Sequence, residues 1–292
     1  MTREWPGVRG KRVLITGATG GIGLAAAEAL AARGARLAIV ARNPARGAEA
    51  ARRITGAGGS ATEVDVLTAD LASLAQVRQL AEDAQARYAR IDVLVNNAGA
   101  FYVARQLSPD GIELTWAVNH LAPFLLTTLL LDRLKAGAPA RIVTTSSAAH
   151  QGAHIPWGDM DAAGPYRGFR RYGQSKLANI LFTADLARRL EGTGVTANCF
   201  HPGLVATGFG QNNGGWTAAA FGLLRPFSRR PVEGAEALVW LADSPEASPY
   251  TGQYFVGHRP ARLAGEAADP LAAGRLWTET EAAVRQALRP GA

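Results

Sequence analysis

Short runs rich in valine, isoleucine and leucine alternate with longer, alanine-rich stretches along most of the chain. "RVLITG" predicts a first strand, and "IGLAAAEALAARG" a helix closed by glycine. "ARLAIVAR" predicts a second strand, and "PARGAEAARRIT" a helix with proline in its first turn. "ATEVDVLTADL" carries a third strand, followed by "SLAQVRQLAEDAQARYA", a helix with Ser73 as its cap. "IDVLVNNAG" is a fourth strand. A long helical region then runs from about Pro109 to Lys135, and "ARIVTTSS" is a fifth strand. "YGQSKLANILFTADLARRLEG" reads as a helix, "VTANCFHPG" as the sixth strand and "VEGAEALVWLAD" as a helix. "GQYFV" gives a seventh strand, and a last helix covers about Ala273–Leu288.

The early strands are apolar at nearly every position, as a parallel sheet covered on both faces requires. With helices between them, they predict βαβ crossovers and one doubly wound α/β domain over residues 1–292, its mostly parallel sheet seven-stranded. Residues 204–230 break the pattern, with several glycines, paired asparagines and the aromatics Phe209, Trp216, Phe221 and Phe227. A long aromatic insert in such a domain reads as a lid or substrate loop, and the apolar residues suggest an apolar small-molecule substrate. A packed surface excursion or a dimer contact is the alternative.

Composition narrows the classes. Hydrophobic residues are 48% and charged residues 19%, the balance of a chain that buries a full core. The one cysteine, Cys199, rules out an internal disulfide and reads as a buried, inert thiol in a reducing compartment. No run reaches the ~18–20 uninterrupted apolar residues of a membrane span, and "LAPFLLTTLLL" reads as a buried helix. The start, "MTREWPGVRGKR", has no apolar stretch typical of a signal peptide, so the expected location is cytoplasmic, without a membrane anchor. The net charge of +7 comes from scattered arginines, which argues against nucleic-acid binding.

"LITGATGGIG" places Gly17, Gly21 and Gly23 between the first strand and its helix. Glycines there let the backbone approach a pyrophosphate, and the helix start offers it free amides and a positive dipole end. This position at the first βα turn points to a dinucleotide. An acid at the end of the second strand would favour NAD, but Ala41 stands there and Arg42 follows, which favours NADP(H). Asp70, after the third strand, reads equally as a contact to the adenine amino group or as a turn residue.

Only three of the 31 basic residues are lysines: Lys11, Lys135 and Lys176. Lys176 lies four residues after Tyr172, on the same helix face. A nearby ammonium is expected to lower the tyrosine pKa, and a lysine can also reach a cofactor ribose. That makes Tyr172 a candidate general acid/base.

These motifs together resemble the short-chain dehydrogenase/reductase family, over essentially the whole length. "TGATGGIG" is similar to its TGxxxGxG loop, "NNAG" (Asn96–Gly99) to its fourth-strand motif, and "YGQSK" to its YxxxK. "VNHLAPFLLT", "SSAAHQGAHIP" and "HPGLV" resemble the branch of retinol dehydrogenases and protochlorophyllide reductases, as does the separation of 25 positions (172 − 147) from Ser147 to Tyr172. The resemblance implies a Rossmann-type fold, with a cofactor half at about 10–140 and a catalytic and substrate half at about 141–292. It implies catalysis by Ser147 (Ser146 being the fallback), Tyr172, Lys176 and Asn119, the last carrying a water that links Lys176 to solvent. Implied cofactor contacts are Gly17, Thr19, Gly21, Ile22, Gly23, Arg42, Asp70, Leu71, Asn97, Ala98, Gly99, Tyr172, Lys176, Pro202, Gly203, Val205 and Thr207. The N-terminal anchor helix of animal retinol dehydrogenases has no counterpart here, which implies a soluble relative. Ala122 replaces the branch's usual glycine.

The implied reaction is hydride transfer between a nicotinamide and a carbonyl. A non-catalytic NADP(H)-binding regulator and a reductase of C=C bonds are the alternatives, and homo-oligomerisation is left open. His150 and His154 lack a third ligand at suitable spacing, so no metal site is expected. His201 reads as closing the sixth strand, and Trp157 and Trp216 as possible pocket walls.

Overall fold

The computed structural model describes residues 4–59, 62–203 and 230–289. Among them, eight strands form one sheet in the order β3-β2-β1-β4-β5-β6-β7-β8. They are β1 (Arg12–Thr16), β2 (Arg36–Ala41), β3 (Val64–Thr68), β4 (Val93–Asn96), β5 (Ala140–Thr145), β6 (Val195–His201), β7 (Tyr254–Val256) and β8 (Arg259–Pro260). The first seven are parallel. The eighth, not expected from the sequence, is a two-residue return that pairs antiparallel with β7. Two residues are too few to show any alternation, and one of them is proline.

Helices cover both faces. α1 (Gly21–Ala32), α2 (Pro44–Gly58) and a later helix, Pro231–Asp243, pack on one side. α3 (Leu74–Arg87), α4 (Leu114–Ala136) and α5 (Gly168–Arg189) pack on the other, with the last helix, Pro270–Ala287. In chain order the two later helices are α6 (Pro231–Asp243) and α7 (Pro270–Ala287). The period-2 geometry of a strand sorts each strand's side chains between two cores. Val13, Ile15, Leu37, Ile39, Val93 and Val95 enter the first, and Leu14, Ala38, Val40 and Leu94 the second.

α4 is apolar and long enough to cross a membrane, but Leu121, Phe124, Leu126, Leu130 and Leu134 are buried in the second core. It begins at Leu114 rather than near Pro109, because residues 108–111 form a turn closed by the Gly111 amide on the Ser108 carbonyl. Glu113 caps the helix, its carboxylate accepting from the Thr115 and Trp116 amides. Residues Ala117–Leu121 widen into a π-turn, a departure that recurs at functional sites. Ser73 caps α3 as expected, accepting from the Gln76 amide. Cys199 is buried, and burial pushes its thiol up to about 12, consistent with an inert group.

α7 holds two parts of the chain. His120, buried between the rings of Trp116, Phe124 and Phe182, meets Thr280 Oγ1 at 2.9 Å. Just before α7, Glu266 accepts from the Ile155 amide and the Trp157 indole, and pairs with His154 at 3.3 Å. The segment between Ser147 and Tyr172 is thereby tied to the C-terminal part of the chain.

Candidate active site

The strand order reverses between β1 and β4, and in open α/β sheets ligands bind at the carboxyl ends of the strands beside such a switch point. Gly17 follows β1 with φ 69°, in the left-handed region, and a Cβ there would lie 2.8 Å from Ala98 Cα. At Gly23 a Cβ would lie 2.2 Å from the Gly17 carbonyl oxygen and 2.5 Å from Asn97 Nδ2. The loop therefore closes tightly only with glycine at both places. Gly20 caps α1 without a side-chain hydrogen bond, so the first-turn amides around Gly21, Ile22 and Gly23 are left for an anion.

Two side chains brace this loop. Thr16 Oγ1 accepts from the Asn97 and Ala98 amides and donates to the Val95 carbonyl. Asn97 Nδ2 reaches the carbonyls of Thr16 (3.2 Å) and Gly17 (3.3 Å), and its Oδ1 accepts from Thr145. Thr16 had no role assigned from the sequence. Its signal was its place directly before the first glycine.

At the tip of β2, Ala41 is buried and Arg42 exposed, while Asn43 caps α2 through the Ala45 and Arg46 amides. Asp70 Oδ1 accepts from the Ala72 amide, so the carboxylate forms a turn at the end of β3, beside Leu71. The turn reading of Asp70 is thus seen directly.

Ser147 ends the extended segment after β5; its hydroxyl accepts from the Ala149 amide and acts on the nearby Tyr172 phenol. Ser146 faces the other way and donates to the Lys176 carbonyl at 2.8 Å, fully buried. Ser147, not the fallback, is the serine beside the tyrosine. Lys176 Nζ donates to the Thr145 carbonyl at 3.1 Å and stands 5.5 Å from the centre of the Tyr172 ring. Gly99 backs onto it, since a Cβ there would lie 3.3 Å from Nζ and 3.5 Å from Asn119 Oδ1.

Asn119 sits in the π-turn, fully buried. Its Oδ1 accepts from the Ala100 amide, and its Nδ2 donates to the Ala100 carbonyl and to Ser175 Oγ. Ser175 Oγ in turn donates to the Tyr172 carbonyl. The side chain is engaged in holding the backbone after β4 against α5, a positioning task.

The electrostatics differ from the expectation. Burial pushes the Tyr172 phenol up to about 12, with Ser147 pulling it down. Burial also pushes Lys176 down to about 8. The ammonium sits over the ring rather than against the phenol oxygen, so desolvation outweighs its pull on the tyrosine.

A stability signature follows from Lys176. Its folded pKa lies below its ordinary value, so between about pH 8 and 10.5 the unfolded chain binds more protons, and stability rises with pH. Below pH 8 the buried ammonium costs stability in full, on the order of 3 kcal/mol. Cys199 and the tyrosines oppose the rise from about pH 9, so the effect is read as a difference between chains. Lys176→Met is expected to be more stable than the parent at pH 7, with the gap closing by pH 10.5. Parallel denaturant titrations across that range check it, and a pH-independent gap would refute it.

His201 Nδ1 accepts from the Ala148 and Gly203 amides, joining the loop after Ser147 to the Pro202–Gly203 turn. His150 Nδ1 meets the Ser147 carbonyl at 2.6 Å, and His154 faces Glu266, so the two histidines serve separate contacts. Trp157 is held by Glu266 and lies under Arg275. Val205, Thr207, Phe209, Trp216, Phe221 and Phe227 lie outside the described residues. Phe101 packs edge-on to Tyr172, with ring centres 6.0 Å apart, and Val103 and Phe169 are exposed on the segments flanking that contact. The sequence pattern marked none of these three.

A family model described as short chain dehydrogenase matches residues 11–218. Retinol dehydrogenase 14 of Mus musculus is 41% identical, over 96% of this chain and 87% of its own. A protein of Streptomyces sp. (strain C5), named as a daunorubicin C-13 ketoreductase, is 40% identical over 97% of this chain and 96% of its own. A solved short chain dehydrogenase from Burkholderia cenocepacia J2315, in complex with NADP, superposes with a TM-score of 0.67. It is 29% identical and covers 85% of this chain and 96% of that one.

Proposed function

Because this chain belongs to the short-chain dehydrogenase/reductase family, in its retinol dehydrogenase-like branch, we propose that it is an NADP(H)-dependent oxidoreductase that interconverts an apolar alcohol and its aldehyde or ketone. The observation that carries this reading is the convergence of Ser147 and Lys176 on Tyr172, with the ammonium over the tyrosine ring, and a glycine-lined anion cradle across the switch point.

The cradle fits a dinucleotide, since its glycines leave no room for side chains and its helix start carries no cap. Gly17, Thr19, Gly21, Ile22 and Gly23 would hold the pyrophosphate. Arg42 would pair with a 2′-phosphate, and Asp70 and Leu71 would border the adenine. Asn97, Ala98 and Gly99 would line the ribose side, Lys176 would reach the nicotinamide ribose, and Pro202, Gly203, Val205 and Thr207 would close over the nicotinamide. When bound, the cofactor supplies or accepts the hydride.

Ser147 donates a hydrogen bond to the substrate oxygen and orients it. Tyr172 protonates that oxygen on reduction and takes the proton back on oxidation. Tyr172 is protonated at neutral pH, the form that carbonyl reduction requires of its acid. Asn119 keeps the Ala100 backbone and α5 in register. The exposed apolar side chains of Val103 and Phe169, on the segments that carry Phe101 and Tyr172, support an apolar substrate. The named ketoreductase and retinol dehydrogenase relatives support alcohol/carbonyl chemistry. The reading places the protein in the cytoplasm.

The test is consumption of NADPH, with NADH as control, across a panel of apolar aldehydes, ketones and quinones in the dark. Turnover of at least one carbonyl, faster with NADPH, is the expected result. Tight NADPH binding with no turnover of any carbonyl would favour the regulator, and light-dependent reduction of a C=C bond the third reading. Arg42→Ala is expected to raise the Kd for NADPH by roughly 10-fold or more while changing that for NADH less than twofold, as loss of a phosphate partner should. Equal effects on both cofactors would remove Arg42 from 2′-phosphate recognition.

A further inference from the structure

Tyr172 is the fifth residue of α5, and the start of that helix lacks a side-chain cap. Arg167 occupies the cap position without a side-chain cap hydrogen bond. Uncapped helix ends fray, and a general acid on such an end would be poorly placed. Something else must hold it.

The residue before the tyrosine does so. Arg171 is 2% exposed and pairs through Nε with Glu113 Oε2 at 2.8 Å, Glu113 itself being fully buried. Arg171 also lies over the Trp116 ring and donates to the Met160 carbonyl. The other carboxylate oxygen of Glu113 accepts from the Tyr166 hydroxyl, which also reaches the Tyr102 carbonyl. Gly168 packs on that same carbonyl, where a Cβ would come within 2.2 Å. Both Glu113 oxygens also cap α4, six residues before Asn119. Burial alone would raise the Glu113 pKa, but the Arg171 guanidinium and the two capping amides hold it below the usual carboxylate range.

We propose that Glu113 is a positioning residue for the reaction: through Arg171 and Tyr166, one buried carboxylate fixes the start of α5, and with it the Tyr172 phenol, against the start of α4 and the backbone that Asn119 holds. The proposal rests on Tyr172 being the acid/base. Glu113 touches neither substrate nor cofactor, and it acts by alignment. A misplacement of about 1 Å in such a site costs on the order of 10²-fold in rate.

Removing one partner leaves a buried charge alone and threatens the fold, so the decisive variant removes both. Replacing a buried ion pair by apolar residues is often neutral for stability. Glu113→Leu/Arg171→Met is expected to melt within about 5 °C of the parent and to bind NADPH within about threefold of it. Its kcat should fall by roughly 10–100-fold with KM little changed. Amide hydrogen exchange at residues 169–173 should accelerate at least tenfold, on the order expected for a freed helix end, while β1 and β4 keep their protection. Arg171→Lys, which retains a cation opposite Glu113, should recover part of both losses.

Unchanged exchange at 169–173 in the double variant overturns the proposal whatever the rate does. So does a parental kcat, which would leave the pair with a stabilising role only. If the parent turns over no carbonyl, the functional reading fails separately. The exchange experiment then decides the pinning of the helix start by itself.

Discussion

Tyr172→Phe is expected to lose turnover by at least about 10³-fold, toward the upper range for removal of a general acid, while binding NADPH within about twofold of the parent. The substitution is conservative for everything except the chemistry. A phenylalanine ring keeps the edge-on contact with Phe101 and the place under Lys176. It lacks only the hydroxyl, the group on which Ser147 acts. The loss should therefore fall on kcat. Steady-state rates beside a fluorescence titration with NADPH separate the two quantities. A variant that kept a tenth of the parental kcat would remove Tyr172 from proton transfer, and weakened binding would show that the hydroxyl serves the cofactor instead.

Gly23→Ala is expected to have the largest effect on cofactor affinity, weakening NADPH binding on the order of 10²-fold. The new methyl group would be driven 2.2 Å from the Gly17 carbonyl oxygen, which is loop backbone, and 2.5 Å from Asn97 Nδ2, a side-chain amide that braces the loop. That amide is tied to the Thr16 and Gly17 carbonyls, so the backbone must shift. Overpacking of this kind costs about 1–3 kcal/mol, enough to distort the cradle and lower the melting temperature by several degrees. Gly274→Ala, in α7 with nothing within 4 Å, is the control and should be neutral or slightly stabilising. Isothermal titration and thermal melts on both variants check the pair. Parental NADPH affinity in Gly23→Ala would mean that the dinucleotide does not lie on this loop.

The fold was readable because parallel strands buried on both faces are continuously apolar, and glycine, proline and Ser73 mark where helices begin and end. The glycine loop and the Tyr172–Lys176 spacing were readable for a similar reason: each is a local pattern with a local geometric cause. What escaped was non-local. Glu113 and Arg171 are 58 residues apart and look like two ordinary surface charges until the fold buries them together. The tyrosine's electrostatics escaped for a related reason. Sequence spacing reveals that an ammonium is near, but burial decides whether its field outweighs desolvation. The identity of the serine needed the structure too, because adjacent residues of an extended segment face opposite ways.

The contact between His120 and Thr280 has a consequence for the order in which the molecule is made. These residues are 160 apart in the chain, and the pair lies next to Asn119. At about 5–20 residues per second, roughly 8–32 s of synthesis separate them. When His120 is made, the glycine loop and β1 through β4 exist, but β5, β6 and α6, which complete their packing, do not. The helix bearing Asn119 and the segment between Ser147 and Tyr172 still await their tethers at Thr280 and Glu266. The residues proposed for catalysis are therefore fastened only when the C-terminal helix has been made.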